Sequence, residues 1–419
     1  MTHSPHKDRS RLKVAMMQDG SRRAYALPIA LHKAGALQVM YTDWYDRPGS
    51  LDNLLATLVS PFMSHAVSKL RTRKSDDLVG APICSWPITT LRNRRLSKIY
   101  DSEAEFFLEV AQRDRALINK HNFHNANMLL GCIRNLHPGL IADAHDKGII
   151  TVGDQIIAPA AEEIEQAKRQ TQRWPDWQPD VIEKNVRAFV DFEEQSWANL
   201  DHILSMSEYV KQSLIKHGVD ESRITLLPYP MDMSAYNPPD RATRPMDRPI
   251  RVGFVGAINL RKGAPEFLET AKRFDKRQAE FVMVGANHLN PDKLAAYQDH
   301  VTFTGKLPLT KVREKLGEFD IFFFPTTCEG SAGSVLEAMA MGLPIVTTLN
   351  AGSQVRDGKE GLIVSCGDMD GYHEAINKLI AEPNTRLAMG NAARKRAMTF
   401  DMTWYQDALV STLEAFLHA

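Results

Sequence analysis

"DIFFFPTTCEGSAGSVLEAMAMGLPIVTT", residues 320–348, decides the fold. Ile321 to Phe324 form a short, unbroken apolar run closed by Pro325, which reads as a strand buried on both faces. The small and polar loop "TCEGSAG" follows. From Ser334 the residues Val335, Leu336, Ala338 and Met339 recur at helical spacing until Gly342 and Pro344 stop the pattern, and "LPIVTT" opens another apolar run. Strand, loop, helix and strand in that order form the unit of a parallel sheet, because parallel neighbours need a crossover between them.

The same rhythm extends in both directions. Upstream, "IRVGFVG", "AEFVMVG" and "VTFTG" alternate with the helical patterns "APEFLETAKRF", "PDKLAAYQ" and "TKVREKLGEF". Near the start, "LKVAMMQ" reads as a buried strand, Gly20 as a turn, and "SRRAYALPIALHKAG" as a helix. "RALINK", a "NANMLLGCIRNL" helix and "GIITVGD" continue the alternation. A charged helical stretch runs from Ala160 to Asn199, and "RWPDWQPD" interrupts it, since two close prolines cannot lie inside a helix; an exposed aromatic loop is expected there. "HILSMSEYVKQSLIKHGVDESRITLLPYPMD" then supplies strand, helix from Ser207, stop at Gly218 and strand. The proline-rich "YNPPDRATRPMDRP" reads as a linker.

These readings predict two Rossmann-like, doubly wound parallel-sheet domains of the α/β class facing a cleft, with residues 1–238 as the first and 239–400 as the second. Residues 401–419 form an amphipathic helix that returns to the first. A length of 419 residues with 43% hydrophobic content fits two cores. Lys plus Arg and Asp plus Glu both total 51, so no net charge favours nucleic acid. The four cysteines show no C-x-x-C pair and read as reduced thiols. The first apolar run is too short for a signal or a membrane span, which predicts a cytoplasmic chain.

Chemistry concentrates in two places. "FVGAINLRKGAPEFL" sets Gly256 after a strand and Arg261, Lys262 and Gly263 before a helix. Positive charge there opposes the helix dipole, a cost that a bound diphosphate offsets. Glu329 and Glu337 lie eight positions apart, about 12 Å if helical throughout, too far for the roughly 5 to 9.5 Å of a carboxylate pair working on one glycosidic bond. Each carboxylate is better used to accept hydroxyl protons from a different part of one extended ligand. A nucleotide sugar fits: ribose at Glu337, diphosphate at Ser334, Val335 and Lys262, and transferred sugar at Glu329.

On these residues the chain resembles the family 4 glycosyltransferases of the GT-B fold, the group marked by E-x7-E, over nearly its whole length. "SEYVKQSLIKHGVDESRITLLPYPMDMSAYNP" is similar to the family's segment closing the first domain, with Asp232 at its aspartate. "FVGAINLRKG" resembles the donor-phosphate loop, and residues 301–346 resemble the nucleotide-sugar half almost strand for strand. The resemblance implies retaining transfer from a nucleotide-sugar donor, with no metal or other cofactor. Lys262 carries over as the diphosphate ligand, Glu329 as the group at the donor sugar and Glu337 as the ribose ligand. Gly305, Lys306 and Leu307 fall near the base, and Gly20 is the turn facing the phosphates.

Departures are specific. Ala257 stands where the family carries arginine, and Arg261 is expected to supply that charge. The family's E-G-F-G becomes Glu329, Gly330, Ser331 and Ala332, followed by Gly333, which leaves the sugar undetermined. The first-domain histidine is absent from "TVGDQ", so Asp154, His121 and His124 are the acceptor-side candidates; the "HNFH" pair reads as following a strand and facing the cleft, and reads equally as structural. "DMD" at 368–370 suits a helix cap rather than a metal site. The basic stretches 68–74 and 91–98, beside apolar "LLATLVSPFM", either meet an anionic membrane carrying a lipid-linked acceptor or are solvated faces; a saccharide is the other acceptor class. The competing readings are a GT-B epimerase or phosphorylase and a non-catalytic nucleotide-sugar binder. A Rossmann dehydrogenase is disfavoured by the lack of G-x-G-x-x-G.

Overall fold

The structure is a computed structural model that describes residues 11–59, 70–96, 100, 102–179, 182–243 and 248–418. It holds two fully parallel sheets. The first has seven strands in the order β3 (Ile83–Ser85), β2 (Leu37–Thr42), β1 (Val14–Met17), β4 (Met128–Cys132), β5 (Ile150–Gln155), β6 (His202–Ser205) and β7 (Ile224–Leu226). The second has six, in the order β10 (Val301–Phe303), β9 (Ala279–Val284), β8 (Ile250–Val255), β11 (Ile321–Phe324), β12 (Ile345–Thr347) and β13 (Gly361–Ile363).

Three of the central strands are buried along their whole length. Every residue of β1, β4 and β11 is buried, as a strand covered by helices on both faces requires. Phe322, Phe323 and Phe324 anchor the second core, with Phe323 stacked on Phe267 at 5.4 Å and Phe324 tilted against Phe254 at 5.2 Å. In each sheet the winding direction reverses once, between β1 and β4 and between β8 and β11. Loops at such switch points diverge, and the crevice outside the strands' carboxyl ends is where doubly wound sheets bind ligands.

Among the described residues, three segments join the halves. The first is the connection from β7 to β8. The second is the final helix, Met402–His418, whose Tyr405, Leu409 and Leu413 are buried in the core of the first sheet, although the preceding helix Pro383–Ala397 belongs to the second. His202 of β6 stacks on Phe416 at 3.8 Å between ring centres.

The third departs from expectation. After the helix Ala160–Arg173, the segment "WPDWQP" was expected to be an exposed aromatic loop. Instead Trp177 is only 7% exposed within the core of the second sheet, 5.8 Å from the Tyr297 ring. Burying so large a side chain outweighs the turn-forming tendency of its prolines. A second correction concerns 115–132. "RALINK" ends the helix Glu103–Lys120, and "MLLGC", read as part of a helix, is β4. A short apolar run fits a buried strand and a buried helix equally, and pairing with both β1 and β5 decides for the strand.

Candidate active site between the halves

The loop after β8 is shaped by its glycines and by the neighbouring β11 loop. Gly263 takes φ +69°, and a Cβ there would lie 1.9 Å from the Pro325 carbonyl oxygen, so no larger residue fits. The Arg261 carbonyl accepts from the Thr327 amide at 2.9 Å and from the Thr326 and Thr327 hydroxyls at 2.9 and 3.1 Å. Asn259 accepts from the Lys262 amide at 2.9 Å. Both basic side chains are thereby aimed at the β11 loop.

They meet Glu329. Its Oε1 lies 2.9 Å from Arg261 Nη1 and 2.5 Å from Lys262 Nζ, and it also accepts from Thr326 at 3.3 Å. Burial alone would raise this carboxyl, but Lys262 and then Arg261 outweigh it and hold Glu329 below the usual carboxylate range. Burial lowers Lys262, and the Arg261 charge adds to that; Glu329 opposes both. Two cations and one carboxylate leave one net positive charge in a half-buried place, where charge acts more strongly than in open water.

Glu337 has a different environment. It lies in the helix Gly333–Ala340, half-buried, and burial raises its carboxyl while the Tyr236 hydroxyl and then Arg313 pull it down. The two acids of the motif therefore answer to separate partners. Ser334 and Val335 occupy the first turn of that helix, after Ser331 and Ala332.

The first half closes against this loop at Gly330. A Cβ on Gly330 would lie 2.1 Å from the Ile156 carbonyl oxygen and 2.8 Å from Met206 Sδ, and Ser207 Oγ donates to the Gly330 carbonyl at 2.6 Å. Arg23 Nη2 reaches the Ser331 carbonyl at 3.4 Å and Met206 Sδ at 3.3 Å, with its guanidinium 4.6 Å from the Tyr229 ring centre. Asp154 stands at the end of β5, accepting a hydrogen bond from Tyr229. Burial pushes its carboxyl up to about 6 against the pull of Tyr229, Arg23 and Arg22.

Around Gly20 the sequence reading missed several charged groups. Asp19 follows β1 and accepts from the Asp43 amide at 3.1 Å and from Asn135 at 2.9 Å. Burial first, and the charge of Asp43 second, push it up to about 7. Asp43 accepts from the Gly20 amide at 2.9 Å and pairs with Arg73. The signal was present: "QDGSRR" places an acid, a glycine and two arginines directly after a buried strand.

The structure does not bring His121 and His124 to this edge. Read as following a strand, they close the helix Glu103–Lys120 and precede β4. Asp154 pairs with Cys132, the last residue of β4, whereas His124 stands before its first. The two rings stack at 5.4 Å, and His124 Nδ1 shares a hydrogen bond with the Tyr41 hydroxyl at 2.8 Å. Gly305, Lys306 and Leu307 follow β10 in the second half; the Gly285 amide donates to the Gly305 carbonyl at 3.1 Å, and Lys306 is exposed. Gly256 follows β8, its amide donating to Val284 at 2.9 Å. Residues 68 and 69 of the first basic stretch, 97 and 98 of the second, and 60–63 of the adjoining apolar run lie outside the described residues. Among the described residues no group of three His, Cys, Asp or Glu side chains is placed to hold a metal. Asp368 caps the helix Met369–Ala381 through the Gly371 amide at 3.0 Å. No described helix is long and apolar enough to cross a membrane.

Two sheets wound in this way and facing each other across their switch points define the GT-B architecture. Known proteins agree. The chain aligns over 97% of its length with all of the sucrose-phosphate synthase of Thermosynechococcus elongatus (TM-score 0.66, 16% identity). It aligns equally with all of HepE from Anabaena, solved with UDP-glucose (TM-score 0.59, 13% identity). At these identities the likeness speaks to the fold.

Residues 249–382 match the family described as "Glycosyl transferases group 1". Curated relatives include a D-inositol 3-phosphate glycosyltransferase of Corynebacterium jeikeium, 29% identical over 52% of this chain and 58% of the relative. Another is the lipopolysaccharide core biosynthesis glycosyltransferase LpsE of Rhizobium meliloti, 32% identical over 34% and 44%. The chain spans roughly half the length of the curated relatives it matches.

Proposed function

We propose that this protein is a retaining glycosyltransferase that moves a sugar from a nucleotide diphosphate sugar to a saccharide or lipid-linked acceptor, in the manner of polysaccharide or glycolipid assembly. The observation that carries the reading is the cluster of half-buried Arg261 and Lys262 around the buried Glu329 at the carboxyl ends of β8 and β11, with Arg23 of the first half reaching the adjoining Ser331 carbonyl. Its net positive charge suits a diphosphate, and among the described residues the hydrogen bonds of the Glu329 carboxylate fall on Oε1, so Oε2 is the oxygen offered to a sugar hydroxyl. Glu337 would take the ribose, Ser334 and Val335 the phosphates at the helix amino end, Gly20 the far side of the diphosphate, and Gly305 to Leu307 the base.

In the reaction the bond from the anomeric carbon to the phosphate oxygen breaks and negative charge gathers on the departing diphosphate. Lys262 and Arg261, held in place beforehand, stabilise that charge without reorganising. The acceptor hydroxyl approaches from the face the diphosphate leaves, and its proton passes to a phosphate oxygen. No metal is required, so turnover should survive EDTA. The relative named for lipopolysaccharide core biosynthesis supports this class of acceptor.

A lipid-linked acceptor is favoured by one surface feature. Leu51, Leu54 and Leu58, on one face of the helix Leu51–Val59, are 51%, 56% and 69% exposed, and Arg71, Lys74 and Arg92 are exposed in the same half. An apolar stripe with basic neighbours suits an anionic bilayer surface.

The test is incubation of the purified protein with a panel of nucleotide sugars and glycolipid or saccharide acceptors, with product analysis by mass spectrometry and NMR. A new glycoside of retained anomeric configuration is the expected product. An epimerised nucleotide sugar, phosphorolysis, or binding without turnover of any donor would contradict it. Sedimentation with anionic vesicles that Leu54→Asp abolishes is expected for the membrane contact.

A further inference from the structure

The segment 170–178 leaves the first half and lands on the second, beside the loop that carries Arg261 and Lys262. Gln170 Nε2 and Trp174 Nε1 both donate to Glu266 Oε1, at 3.0 and 2.9 Å. The Asn290 amide donates to the Trp177 carbonyl at 2.7 Å. Trp177 itself fills the second core. These contacts fix the position of the next residue, Gln178, whose Oε1 accepts from the Leu260 amide at 3.0 Å.

That bond is singular in its origin. The other hydrogen bonds to the backbone of 256–263, among the described residues, come from the second half itself, among them those of Val284, Ala286, His288, Asn259, Thr326 and Thr327. Thr326 and Thr327 hold the loop through the Arg261 carbonyl. Gln178 holds it one residue earlier, through the Leu260 amide. Glu163, fixed by Arg134 at 2.6 Å, lines a cavity of about 50 Å³ together with Gln178, Asn259 and Arg261.

We infer that Gln178 is a positioning residue: through the Leu260 amide, the first half sets the conformation of the loop that presents Arg261 and Lys262 to the diphosphate. Its part in transfer rests on the proposed function, whereas its hold on the loop does not. The arrangement makes anion binding in one half depend on a side chain from the other. The loop is correctly shaped only while the strap is docked.

The test uses Gln178→Met, which keeps the side chain's length and removes the acceptor, and Gln178→Glu, which keeps an acceptor oxygen. Gln178 is half-buried, so neither variant leaves a cavity in a core. In Gln178→Met, hydrogen–deuterium exchange over 256–264 should accelerate by roughly fivefold to tenfold, the scale of one lost hydrogen bond, with the helix 160–173 unchanged. Gln178→Glu should restore protection. Affinity for inorganic pyrophosphate, measured by calorimetry, should fall in Gln178→Met by a similar factor. Unchanged exchange over 256–264 in Gln178→Met, or equal acceleration in Gln178→Glu, would overturn the inference. Wild-type protein that ignores pyrophosphate would count against the donor site, while the exchange data would still decide the role of Gln178.

Discussion

At the residue scale, the account turns on a charge balance. Replacing Glu329 by glutamine removes the one carboxylate from a trio with two cations. Nucleoside diphosphate affinity should then rise while kcat falls, since the anion is held harder but the sugar loses its contact; calorimetry and initial rates separate the two. Asp154 offers a pH test. Its folded pKa, near 6, lies above the ordinary aspartate value, so the folded state binds more protons than the unfolded chain between about pH 4 and 6. The stability this contributes is full below pH 4 and is lost as pH rises through 6. A shift of about two pKa units corresponds to about 3 kcal/mol. Asp154→Asn should flatten the dependence of Tm on pH across that window and raise Tm at pH 7. Glu329, Lys262 and Arg261 were legible because charged residues interrupt small and apolar sequence beside strand ends. Their mutual ion pairing was not, because it needs two loops some 70 positions apart to meet.

At the scale of elements, strands bounded by glycine and proline were legible and those without such punctuation were not. β8, β9, β11 and β12 follow the sequence pattern closely, as does the helix that Ser207 caps through the Val210 amide. β4 was lost to a helix reading because nothing in "NANMLLGCIRNL" marks its ends. That error carried His121 and His124 to the wrong side of a strand. The turn after β1 hides a further feature: Arg23, Ala24 and Tyr25 all take left-handed φ, between 49° and 64°, without a glycine among them. Such backbone costs free energy and is held only where its surroundings insist. Ala24 is exposed, so Ala24→Gly should stabilise the fold by about 1 kcal/mol, read from denaturant midpoints. No gain would mean the turn is not strained there.

At the scale of the whole molecule, three connections tie the halves, and sequence revealed two. The linker after β7 announces itself by its prolines and the last helix by its apolar face. The strap at Trp177 reads locally as a solvent loop, and only the cavity it fills in the other half shows otherwise. Trp177→Ala should cost about 3 to 5 kcal/mol and weaken the hold of one half on the other, measurable as a lower Tm with faster exchange in the β8 loop.

The account's central claim is that the trio of Arg261, Lys262 and Glu329 holds the diphosphate of a nucleotide sugar. Calorimetric titration of wild type and Lys262→Ala with a panel of nucleoside diphosphates tests it most directly. One nucleotide should bind the wild type, and Lys262→Ala should weaken that binding by about a hundredfold, the scale of one lost charge-assisted contact. Equal affinity in the two proteins, or no binding by the wild type, would contradict it.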